Sequence, residues 1–135
     1  MIKKFYFDTS IWIDIYFKRG KNGEKAYELL FKIIKKNYIV VYSDNIIIEF
    51  KKLNLSDFEI NEILNVLKPN NLKRVHITKE QILEMNRISK QRNLPKKDVL
   101  HAIIARDHEV QLVARDNHFQ KLKDITKSKV PEDLI

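Results

Sequence analysis

Two apolar runs in this chain end on an aspartate: Phe5-Tyr6-Phe7-Asp8 and Leu112-Val113-Ala114-Arg115-Asp116. Each aspartate is followed by small or polar residues and then an amphipathic stretch, the pattern of a strand passing into a helix. A carboxylate is thereby set at the strand's C-terminal tip, the edge where ligands gather in open α/β sheets. Two acids at one such edge suggest a cation site, and a cation site in a basic chain suggests phosphodiester chemistry.

Two further acids are placed less conventionally. In Asn45-Ile46-Ile47-Ile48-Glu49-Phe50, helical spacing sets Ile46, Glu49, Phe50 and Leu53 along one stripe. A carboxylate on an apolar stripe is costly unless something pairs with it; the alternative is that Glu49 reaches the stripe's edge and meets Lys52. Asp98 falls in the first turn after Pro95, where the helix dipole alone accommodates an anion. It also shares a face with Ala102 and Ala105, whose small side chains permit close packing that would turn it inward. Neighbouring His101 reads better as a packed, hydrogen-bonded histidine than as a ligand. Asp8 and Asp116 have a plain alternative as helix caps, although Thr9, Ser10 and Asn117 can also cap. His76, His108 and His118 show no spacing that makes a site, and Asp14, Asp44, Asp57 and Asp107 read as caps or solvated face.

The elements that must position these acids follow from periodicity and punctuation. Residues 3–7 read as a buried strand and 9–17 as a helix capped by Thr9 and Ser10. Lys18 to Gly23 reads as a basic turn, and 24–36 as a helix whose apolar face is Tyr27, Leu30, Phe31 and Ile34. A strand at 39–42 leads to a helix capped by Ser43-Asp44 and running to about Leu53, then one capped by Ser56-Asp57 and running to about Leu67. Leu72–Ile77 is a strand, Thr78 caps a helix over 79–92, and Pro95 opens another over 96–107. Val110–Ala114 is a strand and 117–122 a short helix, with a tail poor in strand signal. Strands alternating with helices predict an α/β three-layer sandwich, a central parallel sheet flanked by helices, as one domain over 1–135.

Composition narrows the classes. With 135 residues, 44% hydrophobic and 33% charged, the chain suits a globular domain and not a disordered one. No apolar run approaches the ~20 residues of a membrane span. Met1-Ile2-Lys3-Lys4-Phe5 lacks the apolar core of a signal peptide, so a cytoplasmic location is expected. The absence of cysteine excludes disulfides and thiolate chemistry. Two glycines, Gly20 and Gly23, cannot build a glycine-rich phosphate loop. The net charge of +8 favours an anionic partner such as nucleic acid and says nothing about fold.

The acids and their settings resemble the PIN-domain ribonucleases, especially toxins of the VapC type. The likeness is carried by Phe7-Asp8-Thr9-Ser10, by Ile48-Glu49, by Lys97-Asp98-Val99-Leu100-His101-Ala102-Ile103-Ile104-Ala105 and by Ala114-Arg115-Asp116-Asn117-His118-Phe119. A family-like ending at Val130-Pro131-Glu132-Asp133-Leu134 extends it over nearly the whole chain. Ala114 stands where the family often has threonine. The resemblance implies an endoribonuclease dependent on Mg²⁺ or Mn²⁺, with Asp8, Glu49, Asp98 and Asp116 as its acidic pocket and Ser10 in support. It further implies a small antitoxin that blocks the pocket, and a homodimer. Exposed apolar groups such as Trp12 and Tyr16 would serve dimerisation, or equally the core.

The chemistry explains why such a cluster needs an ion. Two carboxylates ~4 Å apart repel by roughly 4 kcal/mol at an effective dielectric of 20. Hard oxygen donors suit Mg²⁺ or Mn²⁺ rather than zinc. Asp8 and Asp98 are assigned as direct ligands, with Glu49 and Asp116 acting through water, as base or on a second ion. Lys18, Arg19, Lys51, Lys52, Lys96, Lys97 and Arg115 lie near the acids in sequence and would hold RNA phosphates, or else be solvated side chains. A phosphotransfer domain is disfavoured, because the second acid its strand tip needs is absent. A non-toxin RNA-processing nuclease, or a basic binding module without catalysis, remains the alternative.

Overall fold

The computed structural model describes residues 3–135; Met1 and Ile2, and the part of the N-terminal reading that falls on them, lie outside the described residues. Short apolar runs and helical periods give, in order, β1 (Lys4–Phe7), α1 (Thr9–Tyr16), α2 (Gly20–Lys35), β2 (Ile39–Ser43), α3 (Asp44–Lys52), α4 (Asp57–Leu64), β3 (Leu72–Val75), α5 (Lys79–Arg92), α6 (Lys96–Asp107), β4 (Gln111–Val113) and β5 (Ser128–Lys129). The strands pair in parallel in the order β3-β2-β1-β4-β5. Tyr6 stands opposite Val41 on one side and Leu112 on the other. With helices on both faces this is the expected three-layer sandwich. The chain moves outward from β1 to β2 and β3, then returns to place β4 on β1's other side. The crevice at the carboxyl ends of β1 and β4 is therefore the topological switch point, where such sheets bind ligands.

Parallel strands covered on both faces must be apolar throughout, and Phe5, Tyr6, Phe7, Val40, Val41, Leu112 and Val113 are all buried. Trp12, Phe50, Ile103 and Phe119 fill the core around them, fully enclosed. Each such side chain contributes about 1.5–3 kcal/mol of transfer free energy. Trp12 thus belongs to the core and offers no dimer surface. Tyr16 is half-buried, its hydroxyl donating to Glu62 at 2.5 Å.

Several boundaries differ from the sequence reading, each for a physical reason. The expected basic turn at Lys18–Gly23 is shorter, because α2 starts at Gly20. A Cβ on Gly23 would lie 2.7 Å from the Asp14 carbonyl oxygen and 3.0 Å from the Lys18 carbonyl carbon, so glycine allows α2 to pack directly on the end of α1. That contact rotates α2: its buried face is Gly23, Ala26, Leu29, Leu30 and Ile33, while Tyr27 and Phe31 are more than half exposed. Leu53, expected on the α3 stripe, is also exposed. The tail forms β5, pairing Ser128 with Leu112. Asn37, Asn54 and Asn93 take positive φ (56°, 63° and 53°) where α2, α3 and α5 end. Asparagine tolerates the left-handed conformation better than most residues, which lets a chain with two glycines stop its helices. Thr78 and Ser56 form capping boxes with Gln81 and Glu59, as their positions predict.

Candidate active site

The switch point gathers the four acids. Asp8 directly follows β1, and its amide donates to the carbonyl of Val113 at the end of β4 (3.0 Å), tying the two strand tips together. Asp116 lies three residues beyond β4. Glu49 projects from α3, the helix that β2 feeds, and Asp98 from the first turn of α6. All four line one cavity of 490 Å³. Ile48, Leu53, Ile77, Ile82, Met85 and Leu100 give the same cavity an apolar part to its lining.

A histidine holds each half of the cluster. On one side His101, wholly enclosed, takes the Tyr6 hydroxyl on Nδ1 (2.7 Å) and Glu49 Oε2 on Nε2 (2.5 Å), with Asp8 Oδ1 3.7 Å from that same nitrogen. The Tyr6 hydroxyl continues to Ser43 Oγ at 2.7 Å. Glu49 therefore answers to His101 rather than to Lys52. Thr9 and Ser10 do not cap α1, whose N-cap is Asp8 without a side-chain bond. The Thr9 hydroxyl instead donates to Glu49 Oε2 (2.9 Å), and the Ser10 hydroxyl to Asp8 Oδ2 (3.0 Å).

On the other side His118 Nδ1 lies 2.8 Å from Asp98 Oδ2 and 3.0 Å from Asp116 Oδ1. Sequence spacing gave no reason to include this histidine. The signal was local: Asp116 Oδ1 accepts the His118 amide at 2.8 Å, an Asx turn that bends the second following residue back over the acid.

The electrostatics match this division. Burial raises the proton affinity of Asp98, the His118 bond opposes this, and the charges of Asp8 and Asp116 raise it further. Burial also works against charge on Glu49, but His101 and Thr9 prevail and hold its carboxyl below the ordinary range. His101 is the mirror case, burial lowering and Glu49, Asp8 and Asp98 raising its pKa, with a net rise. Asp14, read as cap or surface, is buried on α1 with Arg115 Nε 4.0 Å away, and burial lifts its pKa.

The donor set fits a hard divalent cation: four carboxylates converge, and beside the two imidazoles and Lys97 the charges of Asp8 and Asp116 still work against ionisation of Asp98. One donor atom each from Asp98, Asp116 and His118 lies within 4.8 Å of the other two. Around the rim, Lys52, Lys96 and Lys97 line the cavity. Lys51 is exposed on α3 outside that lining. Lys18 lines a separate hollow with Gly23 and Tyr27, and Arg19 lies over the Phe17 ring. Arg115 forms a two-point ion pair with Glu132, at 2.9 Å for Nη1 to Oε2.

The family model described as "PIN domain" matches residues 5–125. The chain belongs to the PIN-domain family. Among solved structures, this PIN domain is similar to a chain of VapBC2 from Rickettsia felis, bound to a DNA fragment from its promoter (18% identity, TM-score 0.64, covering 94% of this chain and 96% of that one). It is similar also to a chain of a toxin–antitoxin complex from Klebsiella pneumoniae (17%, 0.62, 93% and 96%). A third is from FitAcB of Neisseria gonorrhoeae (17%, 0.61, 94% and 97%). At such identities the likeness speaks for the fold of the PIN domain. No curated protein matches it in sequence. Among the described residues of the PIN domain no helix is long and apolar enough to cross a membrane. PIN domains are nucleases.

Proposed function

We propose that this PIN domain is an endoribonuclease dependent on Mg²⁺ or Mn²⁺, and the toxin of a toxin–antitoxin pair. The observation that carries the reading is the convergence of Asp8, Glu49, Asp98 and Asp116 on one cavity at the switch point of the sheet. Asp8 and Asp98 would hold the ion directly, and Glu49 and Asp116 through water or on a second ion. When bound, the ion would supply positive charge that acidifies a water and offsets the negative charge growing on the phosphoryl and leaving oxygens.

The chain's own groups do the rest. Thr9 and His101 fix Glu49 through Oε2, leaving Oε1 without a protein partner and able to accept a proton from the attacking water. Ser10 orients Asp8 by donating its one hydroxyl hydrogen to Oδ2, and its exposed oxygen can accept from a water in the pocket. Lys52, Lys96 and Lys97 hold flanking phosphates, with Lys18, Arg19, Lys51 and Arg115 as weaker contributors along the strand. The apolar wall gives unstacked bases a surface, which favours single-stranded RNA.

Likeness to chains from VapBC2 and another toxin–antitoxin complex supports a small antitoxin as partner; a basic side chain of such a partner would suit the acidic cavity. A homodimer and a cytoplasmic location belong to the same reading. The test is purified protein with RNA in Mn²⁺ or in EDTA, beside Asp8→Asn. Cleavage that needs both metal and Asp8 is expected; metal-independent binding without cleavage overturns the reading in favour of a basic binding module. Growth arrest on expression, relieved by a co-purifying short protein, is expected of a toxin; harmless expression in several hosts would make it a processing nuclease.

A further inference from the structure

We infer that His118 is a metal ligand of this PIN domain and tilts its acidic pocket toward Mn²⁺ over Mg²⁺. The inference rests on the metal-dependent reading above and concerns the second ion of that reading, which Asp98 and Asp116 would share with His118. Among the described residues, Asp98, Asp116 and His118 are the one group of three whose donor atoms approach closely enough to share a cation. Asp8 and Glu49 are outside it, although they line the same cavity.

Three features fit His118 to the role. Its backbone is pinned on both sides, by the Asp116 carboxylate on its own amide and by the buried Phe119 that follows. Its ring stands with Nδ1 between the two carboxylates, at 2.8 and 3.0 Å, bridged to them by a proton that a shared cation would displace to the cavity's water, taking Nδ1 as its third donor. The side chain is 43% exposed, so the ring has room to adjust without disturbing the core. His101 cannot substitute, because Tyr6 and Glu49 occupy both its nitrogens inside the core.

Imidazole discriminates between the ions. Mg²⁺ keeps to oxygen donors and retains much of its water, whereas nitrogen donors are acceptable to the first-row transition ions, whose affinities rise from Mn²⁺ onward. Two carboxylates alone would serve either ion; adding one imidazole favours Mn²⁺. The neighbouring carboxylates bias the site toward hard ions at the same time, so the pocket sits between Mg²⁺ and the softer, nitrogen-preferring metals.

The test loads the wild-type chain, His118→Ala and His108→Ala with Mn²⁺ and records pulsed EPR, alongside Mn²⁺ and Mg²⁺ dissociation constants by calorimetry. His108 is a solvent-exposed control at the end of α6. Expected are ¹⁴N modulation from directly bound imidazole in wild type and His108→Ala, its loss in His118→Ala, and a fall of roughly tenfold in that variant's Mn²⁺ preference. A folded wild type that binds Mn²⁺ without ¹⁴N modulation, or a His118→Ala protein with unchanged modulation and metal preference, overturns the inference and leaves the metal-dependent reading intact. Failure of the wild type to bind either ion overturns both.

Discussion

Nε2 of His101 lies 2.5 Å from Oε2 of Glu49, the histidine wholly enclosed and the carboxylate buried at the cavity wall. A buried ion pair of this kind adds little net stability, but removing one partner strands the other. His101→Ala is therefore expected to destabilise the protein by about 3–5 kcal/mol. Thr9→Val, which removes one of the two bonds to the same oxygen, costs nearer 1 kcal/mol. Denaturant unfolding curves of both variants, in EDTA, check the difference in size.

The same pair makes a statement about pH. The folded pKa of His101 is raised, so its stabilising contribution is complete below its ordinary value of 6.5 and lost as pH rises through the folded value. Glu49 is lowered, so its contribution is complete above its ordinary 4.5 and lost as pH falls through the folded value. Nitrogen NMR of the metal-free protein should find the His101 ring still carrying both protons above pH 6.5. A neutral ring at pH 6 would remove the pair as an ionic one.

Asp98→Asn separates chemistry from folding. Asp98 is 2% exposed, and burial together with the Asp8 and Asp116 charges disfavours its ionised form. The variant should lose RNA cleavage yet melt, in EDTA at neutral pH, at or above the wild-type temperature. A large fall in melting temperature would show that the His118 bond outweighs the repulsion.

The lysines divide by position. Lys52, Lys96 and Lys97 line the cavity, while Lys18 lines another hollow. Each alanine substitution among the first three should lower the slope of log affinity against log salt by about 0.7 on single-stranded RNA. Lys18→Ala should change it less. Filter binding across a salt series, with Asp8→Asn to prevent turnover, measures both.

Gly23 tests the packing of α2 on α1. Alanine would gain up to ~1 kcal/mol of helix propensity, but its Cβ would meet backbone at 2.7 Å. Over-packing costs of about 1–3 kcal/mol are typical, so Gly23→Ala should be net destabilising in urea unfolding. A more stable variant would mean that α1 and α2 shift apart freely.

The architecture was legible because it is written in local patterns: apolar runs such as Phe5-Tyr6-Phe7, the caps Thr78 and Ser56, and the alternation of strand and helix. The acids Asp8 and Asp116 were visible as strand-tip residues, and Glu49 as a charge on an apolar stripe. What escaped the sequence depends on contacts between distant segments. Thr9 and Ser10 have the composition of caps, and nothing local says that their hydroxyls turn to Glu49 and Asp8. His118 is one polar residue among several until an Asx turn folds it back. Tyr27 and Phe31 share a helical period, yet the face that α2 buries was decided by Gly23 against α1. Asn37, Asn54 and Asn93 mark helix ends locally, but asparagine is a weaker stop signal than glycine.

The tie between Asp8 and Val113 has a bearing on synthesis. Strand β1 leaves the ribosome well before its neighbour β4, which is encoded more than a hundred residues later, and the last acid comes after that. The pocket cannot assemble on a chain that has not yet reached Asp116. A nascent polypeptide of this kind acquires its charge-dense mouth only once that last carboxylate has emerged.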